Sequence, residues 1–247
     1  MTDLAYMVRE DWAQQGTAMV QNSARIRDWL GTEPYLFAVP DVRKFNHRGR
    51  NADVEVAWYI SPEKDSPLVV NIAELSKVTE DARAAEAAVV VVVLHPFGES
   101  DSGALDTAIG AAKLGRVFVM VWSPQDPVRL WLDAHGAVNL HTGTTMPAPD
   151  PLLVAAAELM VDEEYNGLSV GRGKEAAIQL LRVFADAGYP LDEGTWLRAY
   201  FVAGGRRHAN SVSKFIREMR SGVKHRVKPR YSGNIIEILR DRIKAEV

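Results

Sequence analysis

The chain contains no cysteine at all. Disulfides, thiolate metal sites and cysteine nucleophiles are therefore excluded, and a cytoplasmic setting is expected. No apolar run approaches the roughly 20 residues that a membrane-crossing helix needs. The start, Met1-Thr2-Asp3-Leu4, also lacks the basic region and apolar core of a secretory signal, so no membrane association is expected. The six histidines, at positions 47, 95, 135, 141, 208 and 225, show no zinc-ligand spacing. There is no internal repeat and no low-complexity tract.

What the chain does have is a run of valines. Val89 to Val93, closed by Leu94 and then His95-Pro96, offers water no polar face and reads as a strand covered on both sides. Ser76–Ala88 before it and Ala104–Leu114 after it are helix-like, and Val117–Trp122 is a second apolar strand. Strand, helix and strand in this order predict a right-handed parallel crossover.

Upstream, the spacing of Leu4, Val8 and Trp12 and then of Met19, Ile26, Trp29 and Leu30 predicts a helix over 4–30, with Gly31 as its cap. Tyr35–Val39 follows as a short strand. Asp53–Ile60 alternates, with Val54, Val56, Trp58 and Ile60 on one face, and is expected to pair as a hairpin with Leu68–Leu75. Arg129–Asp133 and Ala137–His141 are expected to form a last hairpin. The three prolines of Thr142–Pro151 mark the best linker. Two domains follow, 1–147 and 148–247, and the second reads as wholly helical. Gly171-Arg172-Gly173-Lys174-Glu175-Ala176 has dinucleotide-like glycine spacing, but no parallel strand follows its helix. The two glycines read as the start of that helix.

Charge divides the molecule more sharply than the net value of −3 suggests. From Gly205 to Val247 there are twelve Lys/Arg and four acids, which leaves 17 basic and 28 acidic groups for the first 204 residues. A basic end beside an acidic remainder points to a polyanionic partner. Within that end the order helix, Gly-containing turn, helix and basic connection is that of a helix-turn-helix or winged variant. With Ala209, Val212, Ile216 and Met219 facing inward, the second helix presents Arg206, Asn210, Lys214 and Arg217 on its other side, next to Arg207. Arginine and asparagine can read base edges and lysine can neutralise phosphates. Lys224, Arg226, Lys228 and Arg230 would meet phosphates from the wing. Double-stranded DNA is favoured over single strands because Phe215 and Tyr231 are the only aromatics available for stacking there. A merely solvated basic surface is the competing reading. A homodimer is compatible with this module, though nothing in the sequence requires one.

In the first domain, the predicted order of helix, three strands, helix, strand, helix, strand over about residues 4–122 resembles the restriction-endonuclease-like fold of the PD-(D/E)xK nucleases. The resemblance implies an endonuclease, a hydrolase in which Asp53 and Glu74 hold Mg²⁺ and Lys77 is the nearby cation. Clustered carboxylates suit a hard cation that offsets charge on a phosphodiester. The spacing here is Glu-x-x-Lys, with Ser76 on the face of Glu74. Pro40-Asp41 lies one strand too early. The loop Arg43–Arg50, with Arg48 and Arg50, could extend a DNA footprint or pair with the acidic surface.

Three functions are expected from these features: a Mg²⁺-dependent endonuclease; a non-catalytic DNA-binding regulator whose α/β domain senses a ligand or dimerises near His95; or an α/β domain that processes a nucleotide. His95 ends the valine strand, at the edge where open α/β sheets bind ligands. Glu99, Asp101 and Ser102 lie just beyond, and Ser123 and Asp126 follow the next strand.

Overall fold

The computed structural model describes residues 2–9, 19–47, 52–61, 68–78, 89–96, 98–111 and 114–246. The chain divides into two compact units, Met1–Met146 and Pro147–Val247. The first is an α/β unit with a mixed sheet and the second is a smaller helical one.

In the first unit the order is β1 (Asp3–Val8), α1 (Met19–Leu30), β2 (Tyr35–Val39), α2 (Val42–Asn46), α3 (Ala52–Ile60) and β3 (Val69–Asn71). After β3 come β4 (Val89–Leu94), α4 (Gly98–Ala111), β5 (Leu114–Val121), α5 (Pro127–Ala134), β6 (Val138–Asn139) and β7 (Thr144–Thr145). Among the described residues, seven strands lie in the order β3-β2-β4-β5-β1-β6-β7. All neighbouring pairs are parallel except the last, β6 with β7. The valine strand β4 lies between β2 and β5, and Val91 to Leu94 are fully buried, as a two-sided apolar run requires. From β2 the chain steps outward to β3, whereas from β4 it steps the other way to β5. The reversal between β2 and β4 is a topological switch point, where the carboxyl ends of strands diverge and leave room for a ligand.

Several sequence expectations are overturned here. Residues 3–8 form a strand rather than the start of a long helix, and the helix is confined to Met19–Leu30. Ala5 to Val8 are buried together because β1 is sandwiched between β5 and β6, and so short a segment cannot declare its period alone. Asp53–Ile60 is helical, not a strand. Its buried residues are Val56, Ala57 and Ile60, a one-turn spacing, while Trp58 is 60% exposed. No hairpin joins it to the next strand: β3 spans only Val69–Asn71, runs parallel to β2, and passes into a 3-10 turn at Ile72–Glu74. Residues 127–134 likewise form a helix, started by Pro127 at its first position, and the final hairpin is the short β6–β7 pair. Most of the predicted helix 76–88 lies outside the described residues.

Helices α1 and α3 cover the same sheet face. Ile26 and Leu30 join Val56, Ala57 and Ile60 over Met7, Val92, Leu94 and Met120. Their direction is fixed by their far ends. Arg116, near the start of β5, donates to the Leu30 carbonyl at 2.9 Å, and Tyr35, at the start of β2, donates to the Ile60 carbonyl at 3.4 Å. The first turns of α1 and α3 are therefore at the carboxyl edge of the sheet.

The second unit contains α6 (Pro151–Asp162), a 3-10 turn at Glu164–Asn166, α7 (Gly171–Asp186), α8 (Glu193–Val202), α9 (Ala209–Arg220) and α10 (Ile235–Glu246). Asp150 caps α6 by accepting from Leu152 N (2.8 Å), and Asp192 caps α8 by accepting from Thr195 N (2.9 Å). Gly173 serves packing: a Cβ there would lie 2.3 Å from the Gly167 carbonyl oxygen. Residues 223–231 form no strand, so the connection after α9 is not a β-wing. It is pinned instead by Gln179, whose Oε1 accepts from Arg230 N (2.5 Å) and Tyr231 N (3.0 Å) while its Nε2 donates to the Tyr231 carbonyl (2.7 Å). Among the described residues no helix is long and apolar enough to cross a membrane.

Candidate functional site

The carboxyl edge of the sheet collects side chains that are far apart in sequence. His95 is the first residue past β4 and is 1% exposed. Its φ of 43° is the one left-handed value outside glycine among the described residues. A non-glycine residue in that region is strained, and such strain concentrates at functional sites. The turn swings the ring toward α3, where Nδ1–H donates to Asp53 Oδ1 in a short hydrogen bond. Asp53 stands in the first turn of α3 and is itself largely shielded. A carboxylate on Nδ1 fixes the imidazole tautomer and leaves the Nε2 lone pair to accept a proton or a donor. Nε2 is buried with no hydrogen-bond partner.

Asn22 occupies the matching place on α1. It lies one turn before Ile26, is 0% exposed, and both atoms of its amide are without partners. Buried polar groups are nearly always paired, and orphaning one costs about 1–3 kcal/mol. Two orphaned groups at one sheet edge, on His95 and Asn22, therefore mark it as a place built for something other than stability. Trp122, the first residue past β5, meets the His95 ring edge-on at 5.1 Å and is 40% exposed. Arg9, the first past β1, has its guanidinium 5.2 Å from the centre of the Trp122 ring and forms an ion pair with Glu55 at 3.0 Å.

A separate pocket of about 260 Å³ is lined in part by Tyr6, Val8, Arg129 and Thr142, beside the opposite face of β1. Its polar lining is internally satisfied. The Tyr6 hydroxyl donates to Asp133 (2.7 Å), Arg129 donates to Asp133 (3.1 and 3.2 Å) and to the Pro124 carbonyl (3.1 Å), and Thr142 pairs with Thr144 (2.7 Å). Burial, and then the Asp133 hydrogen bond and charge, hold the Tyr6 phenol well above its ordinary pKa.

The residues that the nuclease resemblance singles out are placed differently from the expectation. Asp53 is on a helix and engaged with His95. Glu74 ends the 3-10 turn and accepts from Asn71 Nδ2 at 3.0 Å, and Lys77 is exposed in the helical turn 75–78. Among the described residues no group of three or more His, Asp or Glu is gathered as a metal ion would require. Asp41 caps α2, accepting from Arg43 N at 2.9 Å. Asp126 accepts from Ser123 N at 3.0 Å and so shapes the turn after β5. Arg48 and Arg50 lie outside the described residues. Of the site residues, sequence reading identified His95 by its place after a buried strand and Asp53 with a different role. It missed Asn22, Trp122 and Arg9. Trp122 carries the signal that marked His95, being the first residue past an apolar strand; Arg9 holds the same place past β1, but that segment reads as helix in the sequence and gives no such signal.

The basic face of the helical unit is a second candidate. Ala209, Val212, Phe215 and Ile216 of α9 are buried, while Arg206, Arg207, Asn210, Lys214 and Arg217 are exposed. Lys214 and Arg217 reach Glu218 and Glu193 only at 3.9 and 3.7 Å with most of their surface in solvent, which neutralises them weakly. Lys224, Arg226 and Lys228 are exposed along the following segment. Arg230 differs from them. It is folded against the unit, with its guanidinium 2.8 Å from Glu163.

No protein-family model, no curated protein and no solved structure matches this chain.

Proposed function

We propose that the protein is a DNA-binding regulator: the helical unit docks on duplex DNA through α9 and residues 224–228, and the α/β unit binds a ligand at its carboxyl edge. The observation that carries the DNA half is the sorting of α9. Its apolar residues are sunk, and Asn210, Lys214 and Arg217 follow one another at four- and three-residue steps on the exposed side, with Arg206 and Arg207 exposed in the turn just before it. This is the equipment a helix needs in a major groove, with α8 and the turn 203–208 in the places of a helix-turn-helix and 224–228 as a basic arm rather than a β-wing. A homodimer would carry two such helices to successive half-sites. The ligand half is supported by the Asp53–His95 pair at the switch point.

A Mg²⁺-dependent endonuclease of the restriction type is the second reading. It shares the same docking, but Asp53 would have to exchange His95, and Glu74 would have to exchange Asn71, for the cation. The engaged state of both carboxylates favours the regulator.

Fluorescence anisotropy with a labelled duplex at several salt concentrations tests the proposal. Affinity is expected to fall linearly on a log–log plot, and replacing Arg207, Lys224, Arg226 and Lys228 by alanine together should reduce the slope by roughly 0.9 for each phosphate that is no longer neutralised. Absence of binding at about 50 mM salt would overturn it. Cleavage of the duplex with Mg²⁺, abolished by Glu74→Ala, would replace the regulator with the nuclease.

A further inference from the structure

We propose that the carboxyl edge of the α/β unit binds a nucleoside, with the base edge on Asn22, the base plane against Trp122, and a hydroxyl or N–H of the ligand on His95 Nε2. The inference rests on the reading of this edge as a ligand site and adds the chemical class.

Three observations select that class. A carboxamide presents a donor and an acceptor side by side, so the partner that satisfies both atoms of Asn22 carries the complementary pair in one plane, as a nucleobase edge does. Asn22 reaches this edge because it stands on the buried stripe of α1 one turn above Ile26, just as Asp53 stands on α3 above Val56 and Ala57. The two helices are tied together at their other ends by Arg27, which donates to the Tyr59 carbonyl at 2.5 Å. Trp122 supplies the second requirement: a large aromatic ring, 40% exposed at the same edge and braced by His95, offers a stacking surface for a flat heterocycle. The third is the orphaned Nε2 of His95. With Nδ1–H committed to Asp53, it is an acceptor and requires a donor from the ligand.

The test uses the full chain, with adenosine, guanosine, cytidine and uridine, and a control panel of free amino acids and hexoses. Calorimetry and thermal melts are read for wild type, Asn22→Leu and Trp122→Ala. One nucleoside is expected to bind and raise the melting temperature by a few degrees. Asn22→Leu is expected to abolish binding and to raise the melting temperature of the unliganded protein, because it removes a buried amide that nothing satisfies. In the wild type the bound nucleoside should shift the ¹⁵N resonance of His95 Nε2, a readout that needs no variant. If an amino acid or hexose binds through His95 and no nucleoside does, the class is wrong while the ligand site survives. If nothing binds and Asn22→Leu melts lower than wild type, Asn22 is structural and both readings fall.

Discussion

Asp53, in the first turn of α3, accepts a hydrogen bond from the ring of His95, the first residue beyond β4, across 42 positions of sequence. The bond gives the buried imidazole one defined tautomer, protonated on Nδ1. Long-range ¹H–¹⁵N correlation near pH 8 should find that tautomer in the wild type and a mixture in Asp53→Ala. The variant should also lose about 1–3 kcal/mol of stability, because Nδ1 is left without a partner inside the fold. An Nε2-protonated ring in the wild type would contradict the assignment.

Two cations of the connecting segment should behave oppositely. Lys228 is exposed and Arg230 is held by Glu163, although they are two residues apart. Lys228→Ala should weaken DNA binding a few-fold and leave the urea midpoint in place. Arg230→Ala should lower stability by roughly 1.5 kcal/mol, the scale of a charge-assisted hydrogen bond, with little change in the salt slope. Equal effects on DNA affinity from both variants would return Arg230 to the binding surface.

Gly205→Ala is expected to be among the most damaging substitutions in the helical unit. A Cβ at that position would lie 2.2 Å from Tyr200 Cζ. The ring has little room to retreat, since its hydroxyl donates to Glu164 (2.5 Å) and accepts from His208 N (3.3 Å), just before α9. Overpacking of this kind costs about 1–3 kcal/mol or more. DNA affinity should fall with stability, because the same contact positions the start of α9. A wild-type unfolding curve for this variant would refute the packing account.

Alkaline pH should weaken the helical unit through Tyr231. Burial, followed by the nearby Glu163 carboxylate, pushes its phenol up to about 12, with Arg230 opposing. The folded state therefore holds the proton that the unfolded state releases at its ordinary value near 10. The contribution is complete below about pH 10 and is lost as pH rises toward about 12, so unfolding midpoints should decline across that window. Tyr231→Phe should flatten the decline. An equal decline in the variant would assign it to other groups.

The elements that sequence reading placed correctly are those with one strong, local signal. The valine strand and β5 are continuous apolar runs long enough to require burial on both faces. In the helical unit, α6 to α9 have sustained one-turn periodicity and bounding glycines, with Asp caps on α6 and α8. The elements misread are short and ambiguous. Asp53–Ile60 satisfies a two-residue alternation through Val54, Val56, Trp58 and Ile60 and a helical stripe through Val56, Ala57 and Ile60. Packing against α1 decides for the helix, which leaves Trp58 outside.

By itself, then, the sequence determined the class of each half: apolar strands separated by helices in front, and amphipathic helices with a cationic surplus behind. Composition and periodicity are local properties, and these halves depend on little else. The strand order was decided only in three dimensions, because β1 finds its place between β5 and β6 by long-range pairing that no local pattern encodes. That order brings the first residues past β1, β4 and β5 (Arg9, His95 and Trp122) to one edge, beside the first turns of α1 and α3. It turned Asp53 from an expected metal ligand into the hydrogen-bond partner of a buried histidine. The same holds for Arg230, whose charge is legible in sequence but whose partner, Glu163, is chosen by the fold of the chain between them.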